Sequence, residues 1–133
     1  MTTPFIFIGT HTIKPGKREA FQAYFARFCT EVVEPQEPRL HSFYGYTTPD
    51  SDMVTIVQVH PDADSMATHM KVGKEHFAEA YAEYLEPEST LQIYGTLKGD
   101  LIEAMSAAAR TEADENSVTI REAFAGFDRL PHS

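Results

Sequence analysis

Three of the chain's six histidines fall between Met53 and Leu85: His60, His69 and His76. Imidazole is the side chain whose unperturbed pKa, ~6.5, lets it take up and return a proton near neutrality. His69 and His76 stand seven residues apart, about two turns if the segment is helical, with Gly73 between them. His11 lies farther upstream, near the end of a strand-like run. Metal binding would need three or four ligands converging from fixed spacings. The chain has no H-x-x-x-H pair and only one cysteine, Cys29. The pattern therefore points to proton transfer rather than to a metal centre. Cys29 has no neighbouring base in sequence, so it does not read as a nucleophile. Arg121 is an unusual charge for a strand and could anchor an anionic substrate or pair with an acidic neighbour. The histidines have structural alternatives too. His60 could be a strand-end imidazole bonded to a loop, and His76 could cap a restarted helix.

The elements that must position these residues can be traced in order. Phe5 to Ile13 (FIFIGTHTI) is rich in β-branched and aromatic residues and reads as a strand. Gly9 within it suggests a bulge or the close approach of another group. Phe21, Tyr24, Phe25, Phe28 and Val32 recur at helical spacing in a first helix from about Lys17 to Val33, which Pro35 and Pro38 should end. Leu40 to Thr47 and Met53 to Val59 read as a hairpin across a polar turn. Asp62 is a good N-cap for a second helix, which Gly73 interrupts and which resumes from Lys74 to Leu85. Glu86-Pro87-Glu88-Ser89 should close it, and Thr90 to Leu97 reads as strand four. Gly99 to Arg110 reads as a third helix and Ser117 to Phe127 as a fifth strand.

The order β-α-β-β-α-β predicts an α+β, ferredoxin-like antiparallel sheet with both helices on one face. The strands carry apolar residues in both parities, Phe5 and Phe7 beside Ile6 and Ile8. A sheet apolar on both faces needs a cover on both. The economical second cover is another copy of the sheet, so a homodimer is expected. The whole chain, 1–133, reads as one domain: a core over 1–97 and a helix–strand extension over 98–133. A net charge of −9 argues against nucleic-acid binding. Nothing approaches the ~20 apolar residues of a membrane span, and no stretch reads as a signal peptide. With a lone cysteine, a cytoplasmic location is expected.

Several motifs carry a resemblance. They are Lys14-Pro15-Gly16-Lys17 after strand one, Glu37-Pro38 before strand two, and Val59-His60-Pro61-Asp62 leading into helix two, followed by His69 and the His76-Phe77 pair. Over about residues 4 to 97 the chain resembles the antibiotic biosynthesis monooxygenase-like domain of the dimeric α+β barrel proteins. The resemblance implies a cofactor-independent monooxygenase that oxidises a phenolic, quinol or polyketide-like molecule with dioxygen. No organic cofactor and no metal is implied. His76 occupies the family's cleft-lining His-Phe position, and His60 stands where the family has a pocket-facing aromatic. His76 and His60 are thus the expected catalytic pair, with His11, His69, Phe77, Tyr81 and Arg121 expected around the substrate. Haem-degrading members use a strand-three Trp, and this chain has no Trp. The alternative is a non-catalytic small-molecule-binding or structural dimer. A pocket of roughly 300 Å3 or more holding two of these histidines would favour the enzyme. A cleft filled by Phe and Met would favour the alternative.

Overall fold

The run Phe5–Ile13 becomes β1, the central strand of a five-stranded sheet with order β2-β3-β1-β4-β5. This is a computed structural model, and it describes residues 3–96, 101 and 116–130. β3 (Met53–His60) and β4 (Leu85–Tyr94) flank β1, and both pair with it antiparallel. β2 (Ser42–Thr47) forms the expected hairpin with β3. The order of these four strands is that of the split β-α-β arrangement, so the predicted ferredoxin-like α+β fold is observed. β5 (Asn116–Arg121) extends the same sheet at the β4 edge, and it runs parallel to β4. The sheet is therefore mixed rather than wholly antiparallel, and the extra strand completes the chain's own edge. The proposed third helix over 99–110 lies outside the described residues except for Leu101, which is buried in the core.

Alternation along β1 separates the two faces. Phe5, Gly9, His11 and Ile13 are buried beneath the helices, while Ile6, Ile8, Thr10 and Thr12 are only half-buried on the other side. The cross-strand register places Phe5 opposite His60, Phe7 opposite Gln58 and Gly9 opposite Ile56 on the helix-covered face. The rear face presents Tyr44 and Tyr46, 61% and 55% exposed.

Besides β5, which ends at Arg121 rather than at Phe127, two boundaries differ from the sequence expectation. α1 (Arg18–Phe28) does not stop at Pro35 but continues through a π-helical turn, Cys29–Val33, into a short α2, Glu34–Gln36, that contains Pro35. A proline ring collides with the carbonyl four residues back and offers no N–H. The wider π turn changes that spacing, so the chain keeps its course through Pro35 before breaking at Glu37. Second, β4 begins at Leu85, not Thr90, and includes Pro87. Its register on β1 shifts between His11 and Ile13, so Pro87 falls in a bulge where a missing N–H removes no regular ladder bond.

α3 (Ala63–Val72) and α4 (Lys74–Glu83) follow β3. As expected, Asp62 caps α3, its carboxylate accepting from the Ser65 N–H at 3.0 Å. The same carboxylate pairs with Arg39, which ties the β2 approach to the start of α3. That pair, with the cap, holds the Asp62 carboxyl below its usual range. The buried core forms two clusters. One gathers Phe5, Ala63, Met66, Ile93 and Leu101, and the other Ile13, Phe21, Tyr24, Val54, Ala80 and Leu85.

Candidate functional site

Between the two clusters the helices stand off the sheet and leave a cavity of about 200 Å3. Its wall takes Met66 from one cluster and Phe21, Tyr24, Ala80 and Leu85 from the other. Phe7, Phe25, Phe28, Phe43 and Met70 complete most of the apolar surface. The polar groups on the lining are few: His11, Gln58, His69, His76 and the tyrosines Tyr24 and Tyr81. So apolar a lining strengthens each polar interaction made against it. The cavity holds more than two of the expected histidines, but its volume is below the ~300 Å3 that would favour an enzyme. It exceeds the ~150 Å3 of an apolar cavity that admits benzene.

His69 comes from the middle of α3 and is fully buried. Its Nδ1 lies 2.9 and 3.0 Å from the two carboxylate oxygens of Glu37, itself 5% exposed. A carboxylate only accepts, so Nδ1 carries a proton and donates it. In the neutral ring that fixes the tautomer and makes Nε2 the acceptor. Nε2 is buried and has no hydrogen-bond partner among the described residues. A buried imidazole oriented by a carboxylate, with its other nitrogen unspent, is the arrangement of a general base. Glu37 stands just after α2, and the Arg39–Asp62 pair fastens its loop to the same helix that carries His69.

His76 sits in the first turn of α4 and stacks on Phe28, ring centroids 4.6 Å apart. Its Nδ1 is also buried without a partner among the described residues. Tyr24 donates to the His76 carbonyl at 2.6 Å, which pins the helix start and occupies the phenol. Burial, with Glu79 nearby, pushes that phenol up to about 12. On the strand side, His11 Nδ1 lies 3.3 Å from the Tyr81 hydroxyl. Burial pulls the His11 imidazole down to about 4, so at neutral pH it is an uncharged ring. Gly9 makes room for it: a Cβ there would stand 2.9 Å from His11 Nε2. Of the two roles foreseen for Gly9, the close approach is the one observed. Gly73 does the same for Phe77, whose ring a Cβ would meet at 2.5 Å. Phe77 thereby reaches His69, ring centroids 5.4 Å apart.

The structure thus brings together five of the seven expected site residues: His11, His69, His76, Phe77 and Tyr81. His60 and Arg121 are elsewhere. His60 is fully buried beside the cavity, its ring 6.0 Å from that of His69. Both of its nitrogens are engaged, Nδ1 with Ser65 Oγ at 2.8 Å and Nε2 with Gln58 Oε1 at 3.0 Å. The amide oxygen can only accept, so Nε2 bears the proton and Nδ1 accepts from Ser65. Burial, and then the neighbouring His69, lowers the His60 imidazole to about 3. Arg121 is exposed on β5, opposite Tyr94 and hence on the rear-face parity. Glu37 is the residue that sequence reasoning missed as a site group. It figured only in the Glu37-Pro38 motif, and its link to His69 spans 32 positions. Among the described residues, no three His, Cys, Asp or Glu side chains cluster as metal ligands, and no helix is long and apolar enough to cross a membrane.

The ferredoxin-like fold is shared with solved structures that include antibiotic biosynthesis monooxygenase-like proteins. The chain is similar to MupZ from Pseudomonas fluorescens, with TM-score 0.68 and 17% identity over 95% of this chain and 94% of that one. A candidate antibiotic biosynthesis monooxygenase from Nitrosomonas europaea aligns with TM-score 0.61 and 17% identity, over 73% of this chain and 93% of that one. Another, from Bacteroides thetaiotaomicron, aligns with TM-score 0.56 and 18% identity, over 68% and 85%. At these identities the likeness is one of fold. The MupZ alignment, at 95% of the chain, has to extend past β4 into the C-terminal segment. No family model and no curated protein matches the sequence.

Proposed function

We propose that the chain is a cofactor-independent monooxygenase for a small phenolic or quinol substrate. The carrying observation is the Glu37–His69 pair: His69 lines the apolar cavity, and its Nε2 is buried with no partner among the described residues. In the proposed reaction Nε2 takes the phenolic proton, and the O–H bonding pair stays on the substrate oxygen. The resulting phenolate is electron-rich enough to reduce dioxygen. One oxygen atom becomes a carbonyl at the ring carbon that loses its hydrogen, and the other leaves as water. All four electrons come from the substrate, so the balance needs no further reductant. His76 Nδ1 is placed to hold the substrate oxygen, and Phe77, Tyr81 and His11 shape its surroundings. His60, with both nitrogens engaged, supports the wall from behind. The cavity volume fits one or two fused rings and is small for a multi-ring polyketide.

The test is oxygen uptake with a panel of one- and two-ring phenols and quinols. At least one compound is expected to be converted to its quinone with one dioxygen consumed. His76→Ala is expected to lower that rate while leaving the fold intact. A panel that binds without oxygen uptake would favour a small-molecule-binding protein instead.

The rear face supports a second part of the reading, a homodimer through the sheets. Tyr44, Tyr46 and Met53 are exposed there, beside half-buried Ile6, Ile8 and Val57. A surface of this kind covers itself by pairing with a copy. Sedimentation at micromolar concentration is expected to give a dimer, and Tyr44→Asp a monomer. A wild-type monomer would refute this part.

A further inference from the structure

Glu37 lines one space and reaches a second through His69. Its carboxylate holds His69, which lines the inner cavity. Glu37 also lines a second, outer cleft of about 410 Å3, beside the π-helical turn and the start of β2. Phe43 is common to both linings, so the partition there consists of Phe43 and the Glu37–His69 pair. The outer cleft also holds His41, whose Nε2 is buried without a partner among the described residues, and the Cys29 thiol, which burial pushes up to about 11. A carboxylate this deeply buried is costly unless it is paired. A backbone carbonyl could orient His69 at less expense, as it does for many imidazoles. What a carboxylate adds is the capacity to accept a proton and pass it on.

We propose that Glu37 relays protons between His69 and the outer cleft, so that the inner cavity exchanges protons with solvent through its wall. The proposal rests on His69 being the cavity's base. Once Nε2 has taken the substrate proton, the Nδ1–H bond breaks and its electron pair stays on Nδ1. The proton joins a Glu37 oxygen and leaves it for water in the outer cleft. His69 is then neutral with its hydrogen on Nε2, and Glu37 is again a carboxylate. Protonating a product runs the same steps backward.

The test uses the full chain with 15N-labelled histidine and no ligand. It measures how fast the His69 Nδ1 proton exchanges with water. Glu37→Gln still offers an oxygen to Nδ1–H, so the ring keeps its place and tautomer, but the amide takes up no proton. Exchange is expected to slow by about a hundredfold, the low end of what a positioned proton-transfer group contributes. Leu40→Trp, which narrows the outer cleft while keeping the side chains of Glu37 and His69, should also slow it. Unchanged exchange in Glu37→Gln overturns the relay, and should that variant not fold, unchanged exchange in Leu40→Trp does so. The base is probed separately with 4-nitrophenol. If wild type binds it without ionising it, the base reading fails, and with it the catalytic use of the relay. Slowed exchange in Glu37→Gln supports the relay as distinct from the base, because exchange is read with no ligand bound.

Discussion

His69→Asn is expected to leave 4-nitrophenol bound but un-ionised. The asparagine amide can donate to Glu37 much as Nδ1–H does, so the buried carboxylate keeps its partner. The variant has no counterpart of Nε2, the buried atom that has no partner among the described residues. Losing a positioned base costs about 10²- to 10⁴-fold in rate. Turnover of any phenol accepted by the wild type should fall by that factor with its affinity little changed. His69→Ala would be a poorer test, because it strands the Glu37 charge and so mixes a loss of stability with a loss of chemistry. The contrast that decides the matter is His60→Gln. His60 has neither nitrogen to spare, so its loss should disturb packing and leave the visible phenolate band of the bound probe intact. If His60→Gln abolished that band and His69→Asn did not, the assignment of roles would be reversed.

That contrast shows what the sequence disclosed and what it hid. The sheet could be traced because the β-branched and aromatic content of Phe5–Ile13 and Met53–His60 is a local property. The cap at Asp62 and the interruption at Gly73 are local too, and both stand where the residue types put them. Two of the misplaced boundaries come from cancellation at a distance. A π turn upstream accommodates Pro35, and a bulge against β1 accommodates Pro87. Residue chemistry could also collect His11, His69, His76, Phe77 and Tyr81 as a group. It could not rank them. Which histidine is a base depends on which nitrogen is already spent. Gln58 and Ser65 spend those of His60, while Glu37 spends only one of His69. Glu37 lies outside the histidine-rich segment, and nothing in the types of its immediate neighbours says which imidazole it will meet.

The same neutral histidines predict an acid-labile fold. In the unfolded chain each titrates near the ordinary value of ~6.5. In the folded protein burial holds His11 at about 4 and His60 at about 3. Around His60, the rings of His69 and His41 and the Arg39 cation lower it further, and Asp62 pulls it back only in part. Between these values the unfolded state binds more protons than the folded one, so stability must fall as pH falls. The contribution is intact above pH ~6.5, declines below it, and stops declining only once the folded values are passed. With both groups in this window the slope approaches two protons, about 2.7 kcal/mol per pH unit. By pH 4 the two histidines together remove on the order of 5 kcal/mol, as much as the whole stability of many domains. Asp62 adds a lower window, because its depressed carboxyl loses the Arg39 pairing as pH falls through its folded value. Urea unfolding at pH 7, 6 and 5 should show this steep loss, and His60→Gln, starting from a lower stability at pH 7, should show about half the slope. A wild-type stability that stays flat from pH 7 to 5 would mean that these rings are charged inside the protein. The neutral, hydrogen-bonded His60 that braces the cavity wall would then have to be abandoned.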